Sequence, residues 1–186
     1  MLKKILPLVI ILGLAGAAFF YWQNNQADVK ELNKTLPEGV KVAKSLIGDE
    51  YKIVNKIDDY EFKIPSEWQG VKEVEYIPER VVEKMLITSI GLEGVIGYGR
   101  ILSIDAYALF QVEVDLEQWA KELLNTFDLG GVLEEEKIGN STVIKIKEEE
   151  HLAGTYIYFL KNDSIVYVFN CGSEEFIRYI ITNGKW

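Results

Sequence analysis

The sequence predicts an α+β fold, in which helices cover an antiparallel β-sheet and a transmembrane helix precedes the folded domain. Three observations lead to this prediction. An uncharged apolar run lies near the N-terminus, short runs of alternating apolar and polar residues follow, and two amphipathic segments each begin at a capping residue. The chain has 186 residues, so the part after the apolar run is long enough for one domain with a buried core.

The apolar run, Ile5–Trp22, has 18 residues without a charge and follows Lys3 and Lys4. A helix of this length reaches about 27 Å, close to the roughly 30 Å of a bilayer core. The two lysines favour a cytoplasmic N-terminus, because basic residues near a span stay on that side. We therefore expect residues 1–26 to be an uncleaved, single-pass anchor in the cell membrane. It would contact the lipid bilayer through residues 5–22 and place the C-terminal domain outside the cytoplasm.

The alternative is a signal peptide that is cleaved after Ala17. The run Ala15-Gly16-Ala17 has the small residues that a signal peptidase accepts. Cleavage there would leave a new terminus that begins with Ala18 and continues with four aromatic residues, which is unusual for a soluble protein. Both alternatives place the domain in the same compartment.

Residues 27–48 are more polar, and Pro37 and Gly39 interrupt them. A thin apolar stripe predicts a short helix over Asp28–Leu36. We expect this stretch to be a stalk or linker, and residues 49–186 to form the domain.

Alternation and turn residues predict strands in the first half of the domain. These are Tyr51–Ile57, Tyr60–Ile64, Val71–Ile77, Met85–Ile90 and Gly99–Val114. Asp58-Asp59 is the expected turn between the first two, and Pro78 is expected to end the third. Four glycines between residues 91 and 99 make a helix unfavourable there.

Two helices and a meander are predicted in the second half. Asp115 is a helix cap followed by apolar residues at helical spacing up to Gly130-Gly131, and Ser173 caps a second amphipathic helix that stops at Gly184. The strands expected between them are Val143–Lys147, Thr155–Leu160 and Ile165–Cys171.

Charge and cysteine content exclude several functions. The chain has 20 Lys and Arg against 29 Asp and Glu, a net charge of −9, which becomes −11 after Gln26 because Lys3 and Lys4 are removed. An acidic surface is a poor match for phosphates, so no nucleic acid is expected as a partner. One cysteine excludes an internal disulfide and a zinc site built on cysteines.

Four features could carry chemistry, and each has a simpler structural interpretation. His151 is the only histidine and follows Glu148–Glu150, which is the composition of a conceivable metal site but also of a solvated loop. Glu134–Glu136 is a second acidic run, for which solvated charge is favoured. Cys171 precedes a helix start, where a thiol can become reactive, but core packing is favoured. The glycines between residues 94 and 99 precede a strand, so sheet curvature is favoured over a phosphate loop. We expect no catalytic residue, no metal site and no cofactor.

Two tryptophans are candidate partner contacts, because tryptophan is enriched in interface hot spots. Trp68 follows a proline turn and Trp186 is the last residue of the sequence. Trp119 belongs instead to the apolar face of the first predicted helix, where core packing is expected.

Three segments resemble the PsbP-like domain, a family named for an extrinsic subunit of photosystem II. They are YEFKIPSEW at Tyr60–Trp68, YIYFLKNDSIVYVFN at Tyr156–Asn170 and SEEFIRYIITNGKW at Ser173–Trp186. The resemblance covers roughly residues 51–186 and implies an antiparallel sheet between helices, an α/β/α sandwich, and binding of other proteins. The photosynthetic role itself is not carried over.

The function predicted first is therefore a membrane-anchored, extracytoplasmic, non-catalytic domain that binds a protein or cell-envelope partner. The alternative is an extracytoplasmic binding protein for a small ligand or a divalent cation, which would use the sheet face and the acidic loops. An enzyme is the third hypothesis, and no convergent set of residues in the sequence favours it.

Overall fold

A computed structural model describes residues 13–14, 16–17, 19–23, 26–45, 50–64, 73–82, 85–93, 100–110, 113–147 and 155–186. Its helices are α1 (Ala27–Leu32), α2 (Leu116–Thr126) and α3 (Glu174–Asn183). Its strands are β1 (Val40–Lys44), β2 (Tyr51–Asn55), β3 (Tyr60–Ile64), β4 (Glu73–Val82), β5 (Met85–Glu93), β6 (Arg100–Ala108), β7 (Val132–Ile138), β8 (Ser141–Lys147), β9 (Tyr156–Asn162) and β10 (Ile165–Cys171).

The strands form two antiparallel sheets. The small sheet has the order β1-β2-β3, and the large sheet has the order β4-β5-β6-β10-β9-β8-β7. Strand β6 therefore lies beside β10, although a helix and three strands separate them in the chain. The predicted α+β fold with antiparallel strands is confirmed.

The large sheet buries apolar side chains on both faces, as its central strand shows. Tyr167 and Phe169 of β10 face the small sheet, α1 and α3, on what we call the inner face. Val166 and Val168 point the other way, to the outer face, which α2 covers over β7, β8 and β9. Because α2 has only 11 residues, the helix covers one half of the outer face.

Both longer helices begin where the sequence predicts. The Asp115 carboxylate accepts a hydrogen bond from Gln118 N at 2.9 Å, and the Ser173 hydroxyl accepts one from Phe176 N at 3.3 Å. These bonds satisfy backbone N–H groups that the first turn of a helix leaves without a helical partner.

The stalk predicted for residues 27–48 contains folded structure. Val29 and Leu32 of α1 are buried in the core, and so are Val40 and Val42 of β1, which pairs with β2. The Asn33 side chain holds the two elements together, since it donates to Val42 O and accepts from Val42 N. This part of the chain therefore belongs to the domain, because its apolar residues complete the small sheet and its core.

Other strand boundaries also differ from the prediction. Strand β4 continues through Pro78 to Val82, because a register shift between Ile77 and Arg80 accommodates the proline at the edge of the sheet. Strand β6 ends at Ala108, earlier than the predicted Val114. Strands β1 and β7 were not predicted. In β7 the three glutamates Glu134–Glu136 hide the apolar alternation, as is common at a sheet edge.

Within the described residues, no helix is long and apolar enough to cross a membrane. Residues 19–23 are helical, and most of the predicted span lies outside the described residues.

Candidate functional site

One concavity of the outer face is a groove between the C-terminal half of α2 and the uncovered part of the large sheet. Its volume is about 280 Å³. Its floor and walls are apolar side chains of the sheet and the helix: Ile87, Tyr107, Ile157, Phe159, Val168, Leu123, Leu124, Phe127 and Leu129. We call this concavity the α2 groove.

Arg80, Asp105 and Asn170 are the polar residues that line the α2 groove, and the buried Ser89 lies beside the first two. Ser89 of β5 is opposite Asp105 of β6, and Asp105 is opposite Val168 of β10. The Ser89 hydroxyl donates a hydrogen bond to Asp105 Oδ1, and Arg80 Nη2 lies 3.4 Å from the same hydroxyl oxygen. A cation and a carboxylate thus reach a single hydroxyl, beside an apolar interior.

The interior of the groove has a low polarity, and its tyrosine shows this. Tyr107 is 4% exposed and packs edge-to-face against Trp119 of α2, with ring centroids 5.1 Å apart. Burial raises the pKa of the Tyr107 phenol, and the nearby charge of Asp105 raises it further. The charges of Arg80 and Asp105 are therefore next to a region that water solvates poorly.

Exposed apolar side chains also follow one another closely in the chain where α2 ends and β7 begins. Phe127 and Leu129 line the α2 groove. Val132 alternates along β7 with Leu133, which packs on the outer face, so the Val132 side chain lies on the side of β7 that carries Glu136. Phe127 is 46% exposed and Val132 is 56% exposed, and the half-buried Leu129 lies between them in the chain. We call these three residues the α2–β7 patch.

A buried carboxylate joins the two sheets. Asp58, in the turn between β2 and β3, accepts hydrogen bonds from Thr88 Oγ1 at 2.5 Å and from Asn55 Nδ2 at 2.7 Å. Tyr167 donates its hydroxyl to the backbone carbonyl of Asp58 at 2.8 Å. Burial raises the pKa of Asp58, and the hydrogen bonds from Thr88 and Asn55 offset only part of this rise. Asp58 therefore has a structural role, because its hydrogen bonds link the small sheet to the large sheet.

Of the acidic runs singled out in the sequence, Glu134–Glu136 is described, and it lies on strand β7 rather than in a turn. Glu136 contacts Arg178 Nη1 at 2.5 Å and Lys145 Nζ at 3.2 Å, and Glu134 lies 4.0 Å from the same lysine. These ion pairs connect β7 and β8 to α3. Glu136 is therefore paired with two cations, whereas the sequence favoured solvated charge for this run.

Cys171 and Trp119 pack as the sequence analysis favours. Cys171 is buried, and this burial raises the pKa of its thiol to about 11, so the thiol is not activated. Trp119 packs on Tyr107 and Phe159 across the sheet surface, although it is only partly buried.

The two tryptophans predicted as partner contacts have different outcomes. Trp68 lies outside the described residues. Trp186 folds back onto the inner core, where its ring centroid is 4.8 Å from that of Phe169 and 5.4 Å from that of Tyr60. Gly184 makes this return possible, because a Cβ there would lie 2.6 Å from the Ile180 carbonyl and 2.7 Å from the indole nitrogen.

The remaining candidates, His151, Glu148–Glu150 and the glycines at 94, 97 and 99, also lie outside the described residues. Among the residues that the structure does describe, no three histidine, cysteine, aspartate or glutamate side chains come together to hold a metal ion.

Sequence reasoning missed Arg80, Ser89 and Asp105. Their signal is a polar residue on every second position of a strand whose other positions are apolar, as in Leu102-Ser103-Ile104-Asp105-Ala106. That pattern identifies a half-polar outer face, but only the pairing of β5 with both β4 and β6 brings the three side chains together.

Comparisons of the chain with protein-family models, with curated proteins and with solved structures found no match.

Proposed function

We propose that the chain is a membrane-anchored, extracytoplasmic domain without a catalytic role, which binds a protein or cell-envelope partner. The observation that carries the proposal is the α2–β7 patch. Its apolar side chains lie within six positions of the chain, and two of them, Phe127 and Leu129, line the α2 groove. Exposed apolar side chains that are close to one another are typical of interaction sites, whereas single ones are common on any surface.

The position of the domain relative to the proposed anchor supports a partner close to the membrane. Only four residues separate Trp22, the last residue of the apolar run, from the start of α1 at Ala27. Four residues and the peptide bonds on either side extend to about 18 Å at most. A partner of this domain would thus be a membrane protein or a component of the envelope near the bilayer surface.

The non-catalytic part of the proposal is supported by the polar residues at the α2 groove. Ser89 is the hydroxyl there, and its hydrogen bond goes to the Asp105 carboxylate. A serine nucleophile needs an adjacent base that can take its proton, and a carboxylate is a weaker base for this than the imidazole of a catalytic triad.

The resemblance of three segments to the PsbP-like domain supports the same function, because that resemblance implies an α/β/α sandwich that binds proteins. Helix α2 forms one layer, the large sheet forms the second, and the small sheet together with α3 forms the third. This order of layers is compatible with that architecture.

Co-purification tests the proposal. The full-length chain, tagged after Trp186, is captured from detergent-solubilised membranes as wild type, as Val132→Glu and as Phe110→Glu. Phe110 is 79% exposed and lies outside the patch, so its substitution is the matched control. We expect one stoichiometric partner that Val132→Glu removes and Phe110→Glu retains. The same partner with all three proteins would contradict the assignment of the patch.

A further inference from the structure

The α2 groove has a feature that the proposed partner binding does not use, which is the pair of opposite charges among the residues that line it. We infer that this groove is a binding site for a free apolar α-amino acid. Arg80 would hold the carboxylate of the ligand, Asp105 its ammonium group, and the apolar interior its side chain.

The charges select the ligand class. Arg80 Nη2 and Asp105 Oδ1 both reach the Ser89 hydroxyl, so the two groups are close to each other. An α-amino acid carries its carboxylate and its ammonium group on one carbon, and it can therefore meet both partners at once. A guanidinium binds a carboxylate through two parallel hydrogen bonds, and a carboxylate accepts from an ammonium. A purely anionic ligand would face Asp105, and a purely cationic ligand would face Arg80.

The size of the groove restricts the ligand further. A volume of about 280 Å³ lies just below the range that is usual for small-molecule sites, roughly 300–1,000 Å³. It suits a ligand of one residue, and it is too small for a nucleotide or for several residues of a folded peptide.

The interior favours an apolar side chain. Ile87, Phe159 and Val168 form the floor and Leu123 and Leu124 the helix wall, and each of these five side chains is less than 9% exposed. A polar side chain placed there would lose its hydration without gaining hydrogen bonds from these residues. The outer end is less closed, since Phe127 is half exposed, so both leucine and phenylalanine are suitable probes.

Calorimetric titration of the full-length chain in detergent tests the inference. The probes are L-leucine and L-phenylalanine, each compared with its N-acetyl derivative, which lacks the positive charge, and with its amide, which lacks the negative charge. We expect saturable binding of the free amino acids. Loss of either charge should weaken binding at least about tenfold, the effect of one charge-assisted hydrogen bond.

Two substitutions connect this selectivity to the named residues. Arg80→Gln should abolish the discrimination between an amino acid and its amide, while discrimination against the N-acetyl form remains. Asp105→Asn should do the reverse. Arg178→Gln, which changes an arginine of α3 that pairs with Glu136, is the control and should leave both discriminations intact. A purely structural role of Arg80 and Asp105 would not produce this exchange of selectivities.

Three results would overturn the inference. One is the absence of saturable binding up to about 10 mM, a concentration at which even millimolar affinity is visible. Another is equal binding of N-acetyl-leucinamide and leucine, which would assign the groove to a peptide segment. The third is unchanged selectivity in both variants. None of these results depends on Val132, so each of them leaves the proposed partner binding to be tested separately.

Discussion

Replacement of the last residue, Trp186→Ala, should destabilise the folded domain by about 3 kcal/mol. The indole ring lies between 4.8 and 5.9 Å, centroid to centroid, from the rings of four core residues, Tyr60, Phe62, Tyr167 and Phe169. Its N–H also donates to the Ile180 carbonyl at 3.3 Å.

The magnitude follows from these contacts and from burial. Truncation of a fully buried tryptophan to alanine costs about 3–5 kcal/mol, and each aromatic pair contributes about 0.5–1.5 kcal/mol beyond area burial. Trp186 is only partly buried, which places the expected cost at the lower end of that range. The pair contributions are not additive, since Tyr60 also packs on Phe62 and on Tyr167.

Urea unfolding of the full-length chain in detergent, followed by circular dichroism, measures this change as a shift of the midpoint at constant slope. In a thermal scan the same loss corresponds to a decrease of about 6–12 °C for a domain of this size. Phe110→Ala is the control, and its effect should stay within about 0.5 kcal/mol because the ring is 79% exposed.

A loss below about 1 kcal/mol for Trp186→Ala would refute the reasoning. It would mean that the ring does not stabilise the inner core. The prediction from sequence, that Trp186 is available to a partner, would then be the better explanation of this residue.

Further predictions concern the other layers of the fold and the anchor. Trp119→Ala should cost about 2–3 kcal/mol, less than for a fully buried tryptophan, and a change below about 1 kcal/mol would contradict packing of α2 on the sheet. Because burial raises the pKa of Asp58, the folded domain binds the proton of this carboxyl group more tightly than the unfolded chain does. The stability of the wild type relative to Asp58→Asn should therefore rise as the pH falls from 7 to 4. Paired urea titrations that show the opposite trend would contradict the burial of Asp58. A reporter fused after Trp186 should be active only outside the cytoplasm, and cytoplasmic activity would exclude the proposed orientation. Calcium, zinc or manganese should not raise the melting temperature at matched ionic strength, whereas a site occupied at one hundred times its dissociation constant would add about 2.7 kcal/mol.

The parts of the fold that the sequence predicted are those whose signals are local. The β9–β10 hairpin has two apolar runs around a tight turn, where Asp163 adopts a left-handed φ of 49°. The helices α2 and α3 each have a capping side chain and an apolar stripe. Such elements depend on residues within about ten positions, and the sequence displays them directly.

The parts that were missed depend on distant pairing. Strand β1 is short and follows a polar stretch, and it becomes a strand because β2 offers it a hydrogen-bonding edge. Its apolar residues Val40 and Val42 give a period of two over too few positions to stand out. The polar C-terminal end also depends on distant pairing. The backbone of Lys185 pairs with that of Glu61, and the packing of α3 on the core brings the two residues together.

The candidate site was missed for the same reason. Ser89 and Asp105 are 16 positions apart, and they meet because β5 and β6 pair in one particular register. A shift of β5 by one residue would move the Ser89 side chain to the inner face, away from Asp105. Pattern alone shows that the outer face is partly polar, and it does not show which polar groups converge.

Position-specific cross-linking shows whether the α2–β7 patch contacts a partner. A photoreactive benzoylphenylalanine replaces Val132 in the full-length chain, and the chain is irradiated in the membranes of the cells that produce it. The same residue placed at Phe110, which is also exposed, is the control. We expect one adduct of defined mass from position 132 and none from position 110. No adduct at position 132, or the same adducts from both positions, would contradict the proposed contact.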